Sequence, residues 1–374
     1  MVVRLTHGNS LEQGELLFFT FIPNLFVSPV AGVMADRYER RKLLLASQLG
    51  TAIMAASIAM DLAVGAVQLP LLYLLGFGLG TCVGFAQPVI QAIAADAVPR
   101  QSLPSAIALL SISINISRIT GPALAVPIVL IGGAVTAFVL YAALALVAAS
   151  LVAQVRLPAS APRLRGALLS NLRDGFRHAR SRPPILLHLS IVGVVSLFSA
   201  GYNTLVPVIA VSVLHQSSNG FFALVVAIGA GAACGAVATG HMARRIGPGV
   251  SAVQMVALGV VVIVLGHAAA YLAVLILSAV YGALFFALMT TQATAVQYLV
   301  DDASRGRVMG LYVLCWGGLS PVGNLLIGWV ASRLGTAAAL DLFGAITLAY
   351  ALAVLVTRQG TWASLAAFFK RAPA

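Results

Sequence analysis

Polar positions in this chain are confined to short connectors between long apolar runs. Eleven such runs lie near residues 16–35, 43–64, 69–95, 105–131, 134–154, 186–213, 219–240, 250–269, 271–298, 308–332 and 336–357. Each is close to the roughly 20 residues a helix needs to cross the hydrocarbon core of a bilayer. The pattern therefore predicts eleven membrane-spanning helices. Glycine and proline inside the runs do not oppose this, because helices in lipid tolerate both. One connector differs from the rest: residues 155–185 form a long basic stretch with five runs before it and six after.

Composition removes the alternatives. Of the 374 residues, 60% are hydrophobic and 9% are charged, against roughly 25% charged in an ordinary soluble domain. Ten acids and 22 bases cannot cover the surfaces of two or three soluble domains. A soluble enzyme and a soluble DNA-binding protein are both excluded. The net charge of +12 reads as topology, and no nucleic-acid partner is expected. Nineteen of the 22 basic residues fall on alternate connectors and the tail: Arg37 to Lys42, Arg100, Arg156 to Arg182, Arg244 and Arg245, Arg305 and Arg307, and Arg358 to Arg371. That side, with the C-terminus, is expected to face the cytoplasm. An odd number of spans then places Met1 outside, so either the N-terminus translocates by itself or the chain begins one span late. Residues 1–15 are polar and carry no cleavable signal. Cys82, Cys234 and Cys315 each stand alone in an apolar run, which predicts buried thiols rather than disulfides or a zinc site.

The basic stretch 155–185 separates an N-terminal bundle, 1–154, from a C-terminal bundle, 186–374, and the two repeat each other. Gly32-Val-Met-Ala-Asp36-Arg37 returns as Gly240-His-Met-Ala-Arg244-Arg245, four of six identical at an offset of 208. Gln91 and Asp96 match Gln297 and Asp302 at an offset of 206. The pairing aligns the first run with the second span of the C-terminal half. An ancestor of six plus six spans is implied, with span 1 absent here, so the runs are spans 2 to 12. Within the connector, Leu164, Leu168, Leu172 and Phe176 recur every four residues among Arg165, Arg173, Arg177 and Arg180. That is a basic amphipathic helix suited to an anionic membrane surface.

Gly32-Val-Met-Ala-Asp36-Arg37-Tyr38-Glu39-Arg40-Arg41-Lys42 resembles motif A of the major facilitator superfamily, G-x-x-x-D-R-x-x-R-R-K, with Glu39 where the family usually has glycine. Asn115-Ile-Ser-Arg118-Ile-Thr-Gly121-Pro122 resembles motif C, the Gly-Pro signature of antiporters, although Ala125 and Val126 replace its later paired glycines. Asp302-Ala-Ser-Arg305-Gly306-Arg307 resembles the loop between spans 10 and 11 in the branch containing enterobactin and macrolide exporters. The resemblance implies an all-α membrane protein with two pseudo-symmetric bundles, 11 spans being present of an expected 12. It also implies that Asp36 docks on the cytoplasmic start of span 11, near Arg307 to Leu311, as a gate, with Asp96 as a partner for Arg40 or Arg41. A carboxylate beside a helix N-terminus is stabilised by the backbone dipoles.

Other polar positions were weighed on their chemistry. Arg118 lies inside a span, where a cation costs a few kcal/mol unless it faces a cavity or a partner. Ser111, Asn115, Arg118 and Pro122 follow the 4, 3, 4 spacing of one helix face, which suits a lining residue or an internal hydrogen-bonding post. Asn24, Asn203, Gln292 and Asn324 are candidates to line a cavity or to bond between helices. Glu12, Glu15, Asp61 and Asp341 read as solvated caps, and His188 and His267 have no ligand partner at sequence spacing. No Walker loop, nucleophile elbow or His-x-x-x-His is present. The expected function is a monomeric secondary transporter in the cytoplasmic membrane. It would export drug-like or siderophore-like small molecules by alternating access, in contact with protons and membrane lipids, with no cofactor and a proton gradient as energy source. No carboxylate at mid-span presents itself as proton carrier, and importer, lysolipid flippase and non-transporting sensor remain open readings of the same fold.

Overall fold

The computed structural model describes residues 9–65, 68–96, 98–99, 102–154, 168–216, 218–242 and 248–357. Among them there is no strand, and the polypeptide runs almost entirely as helix. Hydrocarbon offers no water to unpaired N–H and C=O groups, and a helix satisfies them within the segment. Nine helical stretches among the described residues are long and apolar enough to cross a membrane: 40–64, 69–93, 127–154, 183–213, 220–239, 250–267, 271–299, 307–334 and 336–356.

Two of the eleven expected spans take another form. The first starts six residues earlier than its apolar run, as α1 (Ser10–Phe21) followed by α2 (Pro23–Arg37). The Asn9 side chain caps α1 by accepting from the Leu11 amide at 3.0 Å, a signal that lies in a polar segment. Pro23 has no amide hydrogen to continue the ladder, so the helix breaks there. The runs 105–131 and 134–154 lie in α5 (Leu103–Gln154), whose course is interrupted at Gly133 with φ +77° and ψ 179°. That conformation is essentially reserved for glycine, and it falls in the gap between the two runs. The remaining helices are α3 (Arg40–Val64), α4 (Leu69–Asp96), α6 (Leu168–Ser181), α7 (Pro183–Phe198), α8 (Tyr202–Val208), α9 (Ser218–Met242), α10 (Pro248–His267), α11 (Tyr271–Leu299), α12 (Asp302–Val313), α13 (Leu319–Leu334) and α14 (Thr336–Thr357).

The chain forms two compact units, one of residues 15–171 and one of residues 172–374 with the first turn of α1 through Gly14. In the first, Gly76, Gly80 and Gly84 make a groove along one face of α4. Thr20 lies against Gly76 and Gly80, and Asn24 against Gly84. Ser47 on α3 donates to the Cys82 carbonyl at 2.7 Å. The second unit has one continuous apolar core, including Ile191, Leu224, Leu258, Leu288, Ile327 and Leu340. Part of the basic connector belongs to it: in α6, Ala179 is buried in that core, Phe176 is exposed, and Gly175 lies against the Arg307 backbone. Leu164 and Arg165 fall outside the described residues, as do the side chains of Leu172 and Arg173. The three cysteines are free. Cys82 and Cys315 are half-buried, whereas Cys234 is exposed, so its expected burial is corrected: it sits on an outward face of α9.

Helices in lipid gain little from hydrophobic exclusion, so close backbone approach at small residues carries much of their association. One such contact, made by three glycines, joins α9 to α11. A Cβ on Gly231 would collide with the Ala279 carbonyl, one on Gly235 with that of Ala283, and one on Gly282 with that of Ile228. Gly231→Ala and Gly282→Ala are expected to destabilise the detergent-solubilised protein by about 1–3 kcal/mol, read as a lower thermal midpoint. Gly310→Ala, where nothing lies within 4 Å of the new methyl group, is expected to leave the midpoint unchanged or raise it.

Candidate functional site

In the first unit the connector between α2 and α3 is two residues long. Tyr38 and Glu39 are extended, with the Tyr38 amide bonded to the Met34 carbonyl. This turn brings Arg40 into the interior, 6% exposed, where Nε donates to the Ala35 carbonyl at 2.9 Å and Nη1 to the Ala92 carbonyl at 3.0 Å. Arg41 donates to the Ala153 carbonyl. Ala35, Ala92 and Ala153 lie in the closing turns of α2, α4 and α5. Helix C-termini present unpaired carbonyls and the negative end of the dipole. The adjacent arginines thus bind three helix ends at one edge of the unit. Lys42 and Glu39 form an exposed ion pair at 2.8 Å, of a kind that adds little.

Several predicted site residues are placed by their backbone alone. Asp36 and Arg37 close α2, Asp96 closes α4, Asn115, Arg118 and Pro122 lie along α5, and Asp302 and Arg305 open α12; their side chains lie outside the described residues. Gly32 is half-buried and Gly121 is exposed, each with open space where a Cβ would stand. Arg307 is half-buried in the first turns of α12. The second copy of the repeat has its side chains outside the described residues, and Arg244 and Arg245 lie outside them altogether.

The second unit carries two mid-span irregularities that hydropathy does not display. α7 ends at Phe198, and the helix resumes at Tyr202. The carbonyls freed by the break are taken up by side chains: Ser199 O accepts from the Tyr281 hydroxyl at 2.8 Å, and Ala200 O from Asn203 Nδ2 at 3.2 Å. Asn203 also reaches the Tyr281 hydroxyl at 3.4 Å and is itself exposed, whereas Tyr202 and Tyr281 are buried. A π-helical turn, Ile209–Val213, follows α8. A second π turn, Leu314–Gly318, separates α12 from α13, with Trp316 half-buried and Gly317 exposed. α7 packs on this turn and on α13, and the approach is close because Gly323 meets the carbonyls of Ser196 and Leu197. The broken span and the bulged span therefore lie side by side. Such discontinuities recur at functional sites, and the signals for these were Ala200-Gly201 and Trp316-Gly317-Gly318 inside apolar runs.

The remaining polar candidates separate. Gln292 and Asn324 are buried in the second unit, Asn324 with its backbone against Gly14, and Asn24 is half-buried against Gly84. Glu15 is no solvated cap. The early start of α1 places it in the second turn of the helix, half-buried, accepting from the Tyr73 hydroxyl at 2.8 Å, with Tyr73 stacked on Phe19. His267 pairs across helices with Asp341 at 3.5 Å, a partner that spacing along the chain could not reveal. No group of three metal-ligating side chains occurs among the described residues.

Comparison with known proteins agrees with this architecture. Residues 2–323 match the profile of the Major Facilitator Superfamily. The enterobactin exporter EntS of Citrobacter koseri is 26% identical over 318 residues, covering 84% of this chain and 76% of that protein. EntS of Escherichia coli is 26% identical over 288 residues, with 76% and 68% covered. A bacterial homologue of the human lysosomal transporter Spinster superposes on 96% of this chain and 92% of its own in its inward-facing, occupied form, at a TM-score of 0.70 and 16% identity. Its unoccupied form gives a TM-score of 0.64, covering 94% of this chain and 89% of its own. With most of its length matched, this chain belongs to the Major Facilitator Superfamily and is a multi-pass membrane transporter of small molecules.

Proposed function

We propose that the protein exports siderophore-like or drug-like molecules across the cytoplasmic membrane, as a monomer with its C-terminus inside, in exchange for protons. The observation that carries the reading is the broken α7–α8 span beside the π turn of α12–α13. It places Asn203, exposed at the break, and Trp316, half-buried at the turn, on two adjoining spans, a polar amide and an aromatic ring among apolar neighbours. Molecules with aromatic rings and hydrogen-bonding oxygens fit that pair. The exporters of enterobactin among the relatives, together with Gly121-Pro122, support efflux as the direction.

Transport in this reading is alternating access, the two states differing in their affinity for proton and substrate. Asp36 and Arg37 serve as the cytoplasmic gate with Gly32 at the close of α2. Arg40 and Arg41 hold the helix ends on which the gate stands, with Asp96 as a partner for one of them. Asp302, Arg305 and Arg307 open α12 and belong to the loop between spans 10 and 11. Asn115, Arg118, Gly121 and Pro122 line the polar face of α5, where Arg118 suits an anionic group.

Two measurements test this. In a bacterial host deleted for its own enterobactin exporter, expression is expected to restore enterobactin in the medium. Asn203→Ala should lower the apparent affinity by about 5- to 10-fold, the equivalent of one hydrogen bond. Medium levels that stay at those of the deleted host would sink the export reading; release of labelled lysolipid instead would identify a flippase. For the gate, Arg40→Lys is expected to lower both flux and thermal midpoint, because an ammonium cannot serve two carbonyls as a guanidinium fork does. Asp36→Asn should lower flux while leaving the midpoint in place. Equal midpoints for Arg40→Lys and the parent protein would remove Arg40 from its structural role.

A further inference from the structure

His188 lies on α7, five residues and about 8 Å along the helix from Pro183 at its cytoplasmic end. It is 6% exposed, inside an apolar bundle, and its partners are buried too: Gln292 of α11 is 0% exposed and Ser251 of α10 is 2% exposed. An ionisable group enclosed at membrane depth is costly and is commonly kept for the movement of protons or ions. Histidine is the side chain whose charge changes near neutral pH.

The hydrogen bonds give this site a direction. Gln292 Nε2 donates to the Ser251 hydroxyl at 3.0 Å, which turns Oε1 toward the ring, 2.6 Å from His188 Nδ1. A carbonyl oxygen only accepts, so Nδ1 carries a hydrogen in this arrangement, and Nε2 is where the ring gains or loses a proton. The other neutral tautomer needs the amide turned over, its NH2 facing Nδ1 and its oxygen taking the serine hydrogen. Only the observed amide position suits the charged ring, whose two nitrogens both donate. Gln292 therefore has two positions open to it beside the neutral ring and only the observed one beside the charged ring, so a proton on His188 holds the amide in place. That hold reaches α10 through Ser251.

Among the described residues, charged and titratable neighbours at this end are few. α7 is packed by α11, α12 with its π turn, α13 and α14. On the cytoplasmic half these carry Tyr298, exposed; Tyr312, donating to the Met289 carbonyl at 3.0 Å; Cys315; Arg307; and Tyr350, 2.5 Å from the Ser190 hydroxyl. At the mouth, Arg182 grips Asp301 through Nη2 at 2.6 Å and Nη1 at 3.4 Å. Among the described side chains of this unit, Asp301 is the carboxylate at the cytoplasmic end; the side chains of Asp174 and Asp302 lie outside that set.

We propose that His188 is the proton-binding residue of the transport cycle and Gln292 the positioning residue that passes its charge state to Ser251 and α10; this rests on the proton-coupled reading above. A proton from water on the acidic side binds Nε2 of the neutral ring, and the same proton leaves Nε2 for water at the cytoplasmic mouth, beside Asp301. The role needs no carboxylate at mid-span.

The test uses the full chain in lipid. Imidazole nitrogen NMR of the 15N-histidine protein should show one signal, absent from His188→Gln, that passes from neutral to charged between about pH 5 and 8. In Gln292→Leu, which lacks the acceptor for the Nδ1 hydrogen, the neutral ring should lose its preference for the tautomer protonated at Nδ1, read in the same spectra. In vesicles loaded across a pH step, wild-type protein should accumulate radiolabelled enterobactin. His188→Gln should bring accumulation down to about 1-fold while still exchanging label without a gradient, which also shows that it is folded. A ring that stays neutral across the range, or a His188→Gln protein that accumulates as wild type does, overturns the assignment and leaves proton coupling standing. Wild-type protein that exchanges label yet ignores the pH step overturns both.

Discussion

Every irregularity in this molecule has to answer one constraint: in hydrocarbon, a backbone N–H or C=O must find its partner within the protein. Helix supplies those partners by default, so each departure from helix marks a place where another group has been recruited. The break after Phe198 is bridged by Tyr281 and Asn203, which take the Ser199 and Ala200 carbonyls. The break at Pro23 lies in the glycine groove of α4, where Gly80 admits the Thr20 backbone and the proline ring without a side chain in the way. The turn at Gly133 uses a conformation few other residues adopt. A helix is broken only where neighbouring chemistry makes the break tolerable. The same places gather tyrosine, asparagine and histidine into an otherwise apolar interior.

Charge obeys a related rule. With 9% charged residues, few ionic groups are present to be spent on anything but position. Three of those with described partners, Arg40, Arg41 and Arg182, address helix-end carbonyls. Arg40 meets two carbonyls and Arg41 a third, so the basic run that orients the chain also stitches α2, α4 and α5 together. A topology signal and a structural clamp are the same residues. Flux and stability should therefore respond together at Arg40 and apart at Asp36, whose carboxylate is expected to act in gating.

How much of this could be read along the chain depends on whether the cause is local. Hydropathy is local, and the apolar runs fell on helices, with the gap at 131–134 landing on Gly133. The start of α1 was missed because an Asn9 cap and two further helical turns lie among polar residues that no hydropathy window favours. Glu15 consequently lies within a helix and bonds Tyr73, where the chain pattern reads as a solvated cap. Partners that come from another helix were beyond reach for a different reason: Gln292 for His188, Asp341 for His267 and the three carbonyls for Arg40 and Arg41 are set by packing, not by spacing. The π turn at Leu314–Gly318 left a trace in paired glycines, yet glycine pairs in membrane helices more often mark close packing, as Gly231 and Gly235 do here.

The repeat between the halves then takes on a physical meaning that sequence identity alone does not convey. Span 4, here α4, ends under Arg40, which stands at the start of α3 and holds the Ala92 carbonyl. Its counterpart by the repeat is span 10, here α11, and its C-terminal carbonyl at Leu299 lies 3.5 Å from an Arg182 nitrogen. Arg182 stands at the start of α7, not at the motif copy, where Arg244 replaces the acid. The requirement that a helix end be met by a guanidinium is common to both units, and different positions in the chain supply it. In the first unit the arginine is buried and bonds backbone; in the second it is half-exposed and shares its fork with Asp301. Bonds at the exposed pair are weakened by solvent and salt, and those of the buried arginine are not. The two units are thus held at these helix ends with unequal firmness, and the softer of the two clamps closes α11, the helix that carries Gln292.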